Sequence, residues 1–199
     1  MRISLFILCL TFASQGIAQK KWDKKITKAE ALYDKGDIAK AISAMNKFNK
    51  SSTKKLGADN RYVPLYHLRI AKYNLGAGLL RNYEVSLEAA LTRSAAIHHE
   101  GSFQDAMIKL EAAEICFQNG SFNYGKELLT KSKNTFDTSK LTTPLLRSRW
   151  NLSMAEALSG QGFFNEATTI IQKEEKFLIG RAVRKEADRK STRLNSSHG

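Results

Sequence analysis

Cysteine is nearly absent from this chain: of 199 residues only Cys9 and Cys116 carry a thiol. Cys9 falls in the first 18 residues, so no intramolecular disulfide is left if those are removed, and packing alone must hold the fold. Proline occurs twice, as Pro64 and Pro144, which excludes proline-rich linkers and leaves long helices free to run. No apolar run approaches the roughly 20 residues that a membrane-spanning helix needs; the longest spans residues 3–13. Acidic residues are scarce, 19 Asp and Glu against 32 Lys and Arg, for a formal charge of +13. Also missing are a phosphate-cradling glycine loop, a paired CxxC, a Ser-centred elbow and a histidine pair spaced for zinc. Catalysis on those patterns, metal binding and cofactor binding are therefore not expected.

Both ends stand apart from the rest. Arg2, the apolar run and the small residues Gly16 and Ala18 form a secretory leader over residues 1–18, with the mature chain starting at Gln19. Cys9 follows Leu8 inside the apolar run, so it does not fit a lipoprotein site. At the other end, Asp188 to His198 matches, residue for residue, the reading-frame translation of a common sequencing adapter. This reading makes 188–199 an artefact and 181–187 the start of a continuation cut near Ala187, with membrane association only through that unseen region. Setting the ends aside leaves 28 basic and 18 acidic residues, a charge of +10. Lys20, Lys21, Lys24, Lys25 and Lys28, then Lys47, Lys50, Lys54 and Lys55, are scattered as on solvated faces. No stacking aromatics are interleaved with them in a nucleic-acid motif, so no nucleic-acid partner is expected.

What the chain does have is a period. Gly36, Gly78, Gly120 and Gly162 stand 42 residues apart. Seven positions before each lies an alanine, Ala29, Ala71, Ala113 and Ala155; five after lie Ala41, Tyr83, Gly125 and Ala167. Large apolar residues occupy two further columns, Ile38, Leu80, Phe122 and Phe164, then Met45, Leu87, Leu129 and Ile171. The alanines permit close helix approach, the glycines a tight turn, and the bulky columns lie seven apart on one stripe of a second helix. Four helix-turn-helix repeats over 19–180 follow, more than the roughly three needed for a stacked core.

The segment Ala29-Glu30-Ala31-Leu32-Tyr33-Asp34-Lys35-Gly36-Asp37-Ile38-Ala39-Lys40-Ala41 resembles the tetratricopeptide repeat (TPR) family, as does Ala155 to Leu158 with Gly162 to Ala167. The family period is 34; the longer period here is closer to the long-helix variants in kinesin light chain, whose linker the stretch Lys55 to Pro64 resembles. The resemblance implies an all-α solenoid whose first helices line a concave groove. On that pattern the partner-binding residues are Glu30, Lys72, Glu114 and Glu156 with Arg69, Glu111 and Ser153, while Ile26, Leu68, Leu110 and Leu152 face the core. The basic clamp that grips a carboxyl terminus is not reproduced, because these columns are mostly acidic.

First helices are expected near 21–35, 62–75, 103–119 and 144–160, and second helices near 38–50, 79–93, 122–136 and 163–177. Thr143 before Pro144 and Ser102 before Asp105 are start signals. The Ser-, Thr- and Lys-rich stretches 51–60, 94–101 and 137–142 read as linkers. Gly180 is expected to interrupt any helix that begins around Leu178 and Val183. Cys116 is expected as a small core residue. Adjacent His98 and His99 would project about 100° apart on a helix, unlike a zinc-binding pair, and the pair Glu174 and Glu175 reads as ordinary solvated carboxylates. Two functions fit: an exported, non-enzymatic scaffold, in the periplasm or at the cell surface, binding a protein or peptide in its groove; or the amino-terminal sensing part of a larger signalling protein or enzyme, such as a sensor kinase or caspase-like peptidase.

Overall fold

The computed structural model describes residues 21–196, with side chains through Arg181. The expected leader lies outside the described residues, as do the side chains of the tail 188–199. The described residues form eight helices and no strand: α1 over 21–34, α2 Ile38–Leu56, α3 Val63–Gly76, α4 Leu80–His98, α5 Phe103–Gln118, α6 Phe122–Thr138, α7 Pro144–Gly160 and α8 Phe164–Ser196. They pair as the four expected helix-turn-helix repeats. The chain divides into two compact units, one ending at Ile108 and the other beginning at Lys109 within α5.

Every hairpin closes by the same hydrogen-bond pattern. In the first, Gly36 N donates to Tyr33 O at 2.8 Å and Asp37 N to Leu32 O at 2.9 Å. This doubly bonded helix stop needs a left-handed residue at the glycine. Gly36, Gly78, Gly120 and Gly162 have φ of 80°, 72°, 73° and 87°, and the paired bonds recur at Gly78/Leu79, Gly120/Ser121 and Gly162/Phe163. A Cβ at any of these glycines would meet nothing within 4 Å, so backbone conformation alone selects the residue.

The small-residue columns lie in the interior, although Tyr83 shows that the second of them admits a large side chain. Ala29, Ala71, Ala113 and Ala155 are buried, as are Ala41, Tyr83 and Ala167. Gly125 stands in this column because a Cβ there would come 2.2 Å from Cε1 of Phe117. That ring stacks on Phe122, with centroids 5.9 Å apart. The first unit is centred on Trp22, Phe48, Tyr62 and Tyr73 together with Met45; Trp22 meets Phe48 edge-on at 5.8 Å. In the second unit Leu110, Leu128, Leu129, Phe136 and the expected core thiol Cys116 are buried.

Four expectations need correction. Leu80 and Phe164 are 53% and 64% exposed, so the column two after the glycine is not a uniform core stripe; repeat four has Ser159 where repeat three offers Phe117 as a stacking partner. Ile171 is also exposed, although Met45, Leu87 and Leu129 of its column are buried. The second helices outrun their expected ends, reaching Leu56 and His98 through stretches read as linker. There Ser52 turns its hydroxyl onto Asn49 O and Ser94 onto Asp105 Oδ1, which lets small polar residues be buried inside a helix. Gly180 does not interrupt α8.

Both start signals function as expected. Leu146 N donates to Thr143 Oγ1 at 3.2 Å, and Asp105 N to Ser102 Oγ at 3.2 Å. The Asp105 carboxylate reaches back to Gly101 N, not Ser102 N, at 3.1 Å.

Gly120→Ala is expected to lower stability by about 1 kcal/mol, the cost of forcing a side chain into the left-handed region. Gly180→Ala, inside α8 with open space around its Cβ, is expected to be neutral or stabilising by up to about 1 kcal/mol. Urea midpoints of the two variants check both signs.

Candidate functional site

The polar columns of the first helices meet in pairs. In the first unit Glu30 on α1 accepts from Arg69 Nε on α3 at 2.6 Å. In the second, Glu114 on α5 accepts from Ser153 Oγ on α7 at 3.1 Å. These are the same two columns, so a carboxylate six places before one glycine is held by a donor nine places before the next. Arg149 reinforces the second pair: its Nε donates to Glu114 Oε1 at 2.8 Å and its Nη2 to Oε2. Such a bidentate fork fixes orientation as well as charge.

The remaining expected residues are placed differently. Lys72 lies with Nζ 5.0 Å from the Tyr33 ring centroid, and Tyr33 stacks on Tyr73 at 4.8 Å. The Tyr73 hydroxyl is buried without a partner; burial, then the nearby Glu30 charge, push its pKa above the usual tyrosine value. Glu111 is half-buried one turn before Glu114, and Glu156 is exposed. Partial desolvation of the Glu156 carboxyl and repulsion from Glu114 raise its pKa. Ile26, Leu68 and Leu110 are buried as expected, whereas Leu152 is 38% exposed.

Leu152 instead lines an open hollow of about 490 Å³ in the second unit, together with Glu114, Arg149, Ser153, Glu156 and Leu145. Its lining combines the leucines Leu145, Leu152 and Leu178 with polar and charged side chains. Arg149 escaped the column reading because it sits one turn before Ser153, off the columns compared. In the first unit Lys25 Nζ lies 4.7 Å from the Trp22 ring centroid and donates to Ser51 Oγ at 3.2 Å.

Among the described residues no group of three His, Cys, Asp or Glu is placed to hold a metal, and no helix is long and apolar enough to cross a membrane. His98 ends α4, while His99 turns left-handed at φ 65°. His67 and His98 both have lowered pKa values, chiefly through burial, with Arg93 adding repulsion at His67. The folded state thus favours neutral imidazoles. Stability is retained above the unfolded value near 6.5 and falls as pH drops through the lower folded values. The melting temperature is expected to decline below about pH 6.5, and His67→Gln should flatten part of that decline in a pH series of thermal melts.

Removing the inter-repeat fork tests its structural weight. A cycle of Glu114→Gln and Arg149→Met is expected to give a coupling energy of about 1 kcal/mol, shrinking with added salt.

No protein-family model matches the chain, and no curated protein matches it. Solved structures do. BtubC (BKLC) from P. vanneervenii superposes with a TM-score of 0.64 at 12% identity over 79% of this chain and 63% of that one, so the chain spans less than two thirds of BtubC. The nearly identical TPR-like repeats of a Podosopora anserina protein classed as a kinesin light chain superpose with a TM-score of 0.63 at 14% identity, over 80% of this chain and 76% of that one. A point variant of the same Podosopora anserina protein gives 0.62 at the same identity and coverage. The fold is a TPR-like α-solenoid, of the long-helix kind that the 42-residue period resembles.

Proposed function

We propose that the chain is an exported, non-enzymatic interaction scaffold that binds an extended peptide or a helix of a partner protein along its first helices. The observation that carries this reading is the hollow over α5 and α7, where Arg149 and Ser153 hold Glu114, Glu156 is exposed, and Leu145 and Leu152 supply an apolar floor. A bound segment could lay apolar side chains on the leucines while its polar groups meet the carboxylates, as in groove recognition generally. TPR-like architecture presents such surfaces repeatedly and needs no reactive group to do so. Export rests on the leader read from residues 1–18.

Selection of displayed linear peptides against the full chain is expected to yield a consensus whose binding falls at least tenfold with Leu152→Glu. Leu152 is partly exposed, so this variant should keep its helical circular dichroism. Absence of any enriched peptide, or binding unchanged by Leu152→Glu, would sink the reading. Export is checked separately by fusing residues 1–25 to a periplasmic reporter in a bacterial host; cleavage before Gln19 is expected, and retention of the uncleaved reporter in the cytoplasm argues against it.

A further inference from the structure

The lysines of the first repeat are ordered more strictly than their spacing in the sequence suggests. At about 100° per residue, the four lysines of α1, Lys21, Lys24, Lys25 and Lys28, share one side of the helix, and its acids, Asp23, Glu30 and Asp34, share the opposite side. In α2, which contains no acidic residue, Lys40, Lys47, Lys50 and Lys54 likewise share one side. The buried residues of both helices, Trp22, Ile26 and Ala29 with Ala41, Met45 and Phe48, point elsewhere, into the core.

The two lysine arcs meet around a hollow. Lys25 and Lys28 from α1 and Lys40 and Lys47 from α2 surround about 400 Å³, and the rest of the lining is Leu32, Ser43, Ala44 and Phe48. No carboxylate lines it. All four lysines are exposed, and Lys28 and Lys47 have no hydrogen-bond or ion-pair partner among the described residues. Lys25 touches only a ring and a hydroxyl, both neutral. Lys40 meets Asp37 at 3.1 Å with both side chains open to solvent, a pairing of little strength.

A solvated outer face explains polar residues here but not their common sign. In the second repeat Tyr66 and Ile70 pack against the core of repeat one, and the same columns of repeat one hold Lys24 and Lys28. A face that had only to stay solvated would be served by interspersed charges of both signs, with less self-repulsion. Like charges around a concavity focus a positive field into it, and the complement of that field is an anion. Trp22 and Phe48 are only 5% and 2% exposed, so they offer no ring for stacking bases and no aromatic anchor for a lipid headgroup layer. Arginine, the bidentate phosphate ligand, is absent between residues 21 and 60. Half-buried Leu32 and Ala44 give the hollow an aliphatic floor, which suits an apolar side chain carried between carboxylates.

We propose that the α1–α2 face binds an acidic segment of a partner protein, with Lys25, Lys28, Lys40 and Lys47 as counter-charges to its carboxylates and Leu32 and Ala44 as the seat of an aliphatic side chain between them. This site belongs to the first unit and does not depend on the ligand of the hollow over α5 and α7.

The test is fluorescence anisotropy of the full chain with a labelled peptide of glutamate pairs separated by leucines, against the same peptide with glutamine for glutamate. Saturable binding of the glutamate peptide alone is expected, weakening as salt is added. Lys28→Gln combined with Lys47→Gln, both at exposed positions, should weaken it about fivefold, whereas the equal charge change of Lys140→Gln with Lys176→Gln, also exposed, should alter it less than about twofold. Ser43→Glu, at an exposed position on the rim, should weaken binding further than either pair. Circular dichroism of each variant verifies that the helices are intact. Failure of the glutamate peptide to saturate, equal losses in the two lysine pairs, or tighter binding of single-stranded DNA or of phosphatidylglycerol vesicles than of the peptide would each overturn the proposal.

Discussion

Each repeat reverses direction through one residue held at positive φ, and the packing of the hairpins depends on that reversal falling at the same place every time. The doubly bonded stop at Gly36, Gly78, Gly120 and Gly162 fixes where the first helix ends and the angle at which the second leaves. With that angle fixed, Ala29, Ala71, Ala113 and Ala155 all come to lie buried inside the packing. Gly125 carries the same constraint one step further, having given up its Cβ to the ring of Phe117.

On this frame the polar residues of the first helices have two uses that compete. Glu30 with Arg69, and Glu114 with Ser153 and Arg149, join one repeat to the next within each unit. A side chain so engaged offers a partner less than a free one would. What the second unit leaves open is the exposed carboxylate of Glu156 and the leucines beside it. The surface open to a partner is therefore narrower than the columns alone imply, and more apolar.

Period and small-residue columns made the fold readable from residues alone, since glycine and alanine were placed by backbone geometry and close contact, which leave little choice of side chain. Helix ends were less readable. Ser52 and Ser94 look like linker residues, yet each finds a bond inside or beside its helix and the helix continues. The pairing of Glu30 with Arg69 was invisible as well, because two residues 39 apart meet only once the hairpins stack. Glu174 is the sharpest miss: beside Glu175 it reads as a solvated carboxylate, yet it is buried, as are Phe48, Ala90 and Ser132 in its column.

The uneven filling of that column also bears on how the molecule comes apart. Contacts run mostly between helices adjacent in the chain, so opening one hairpin need not disrupt a distant one, and local unfolding energies can differ from repeat to repeat. Repeat one is pinned by Trp22, Phe48 and Tyr62; repeat four has a serine and a carboxylate at the equivalent place, and its last helix leaves Phe164, Ile171 and Ile179 exposed. Amide exchange should accordingly be graded among the described repeats, slowest where the aromatic rings interlock and fastest where α7 and α8 enclose polar groups.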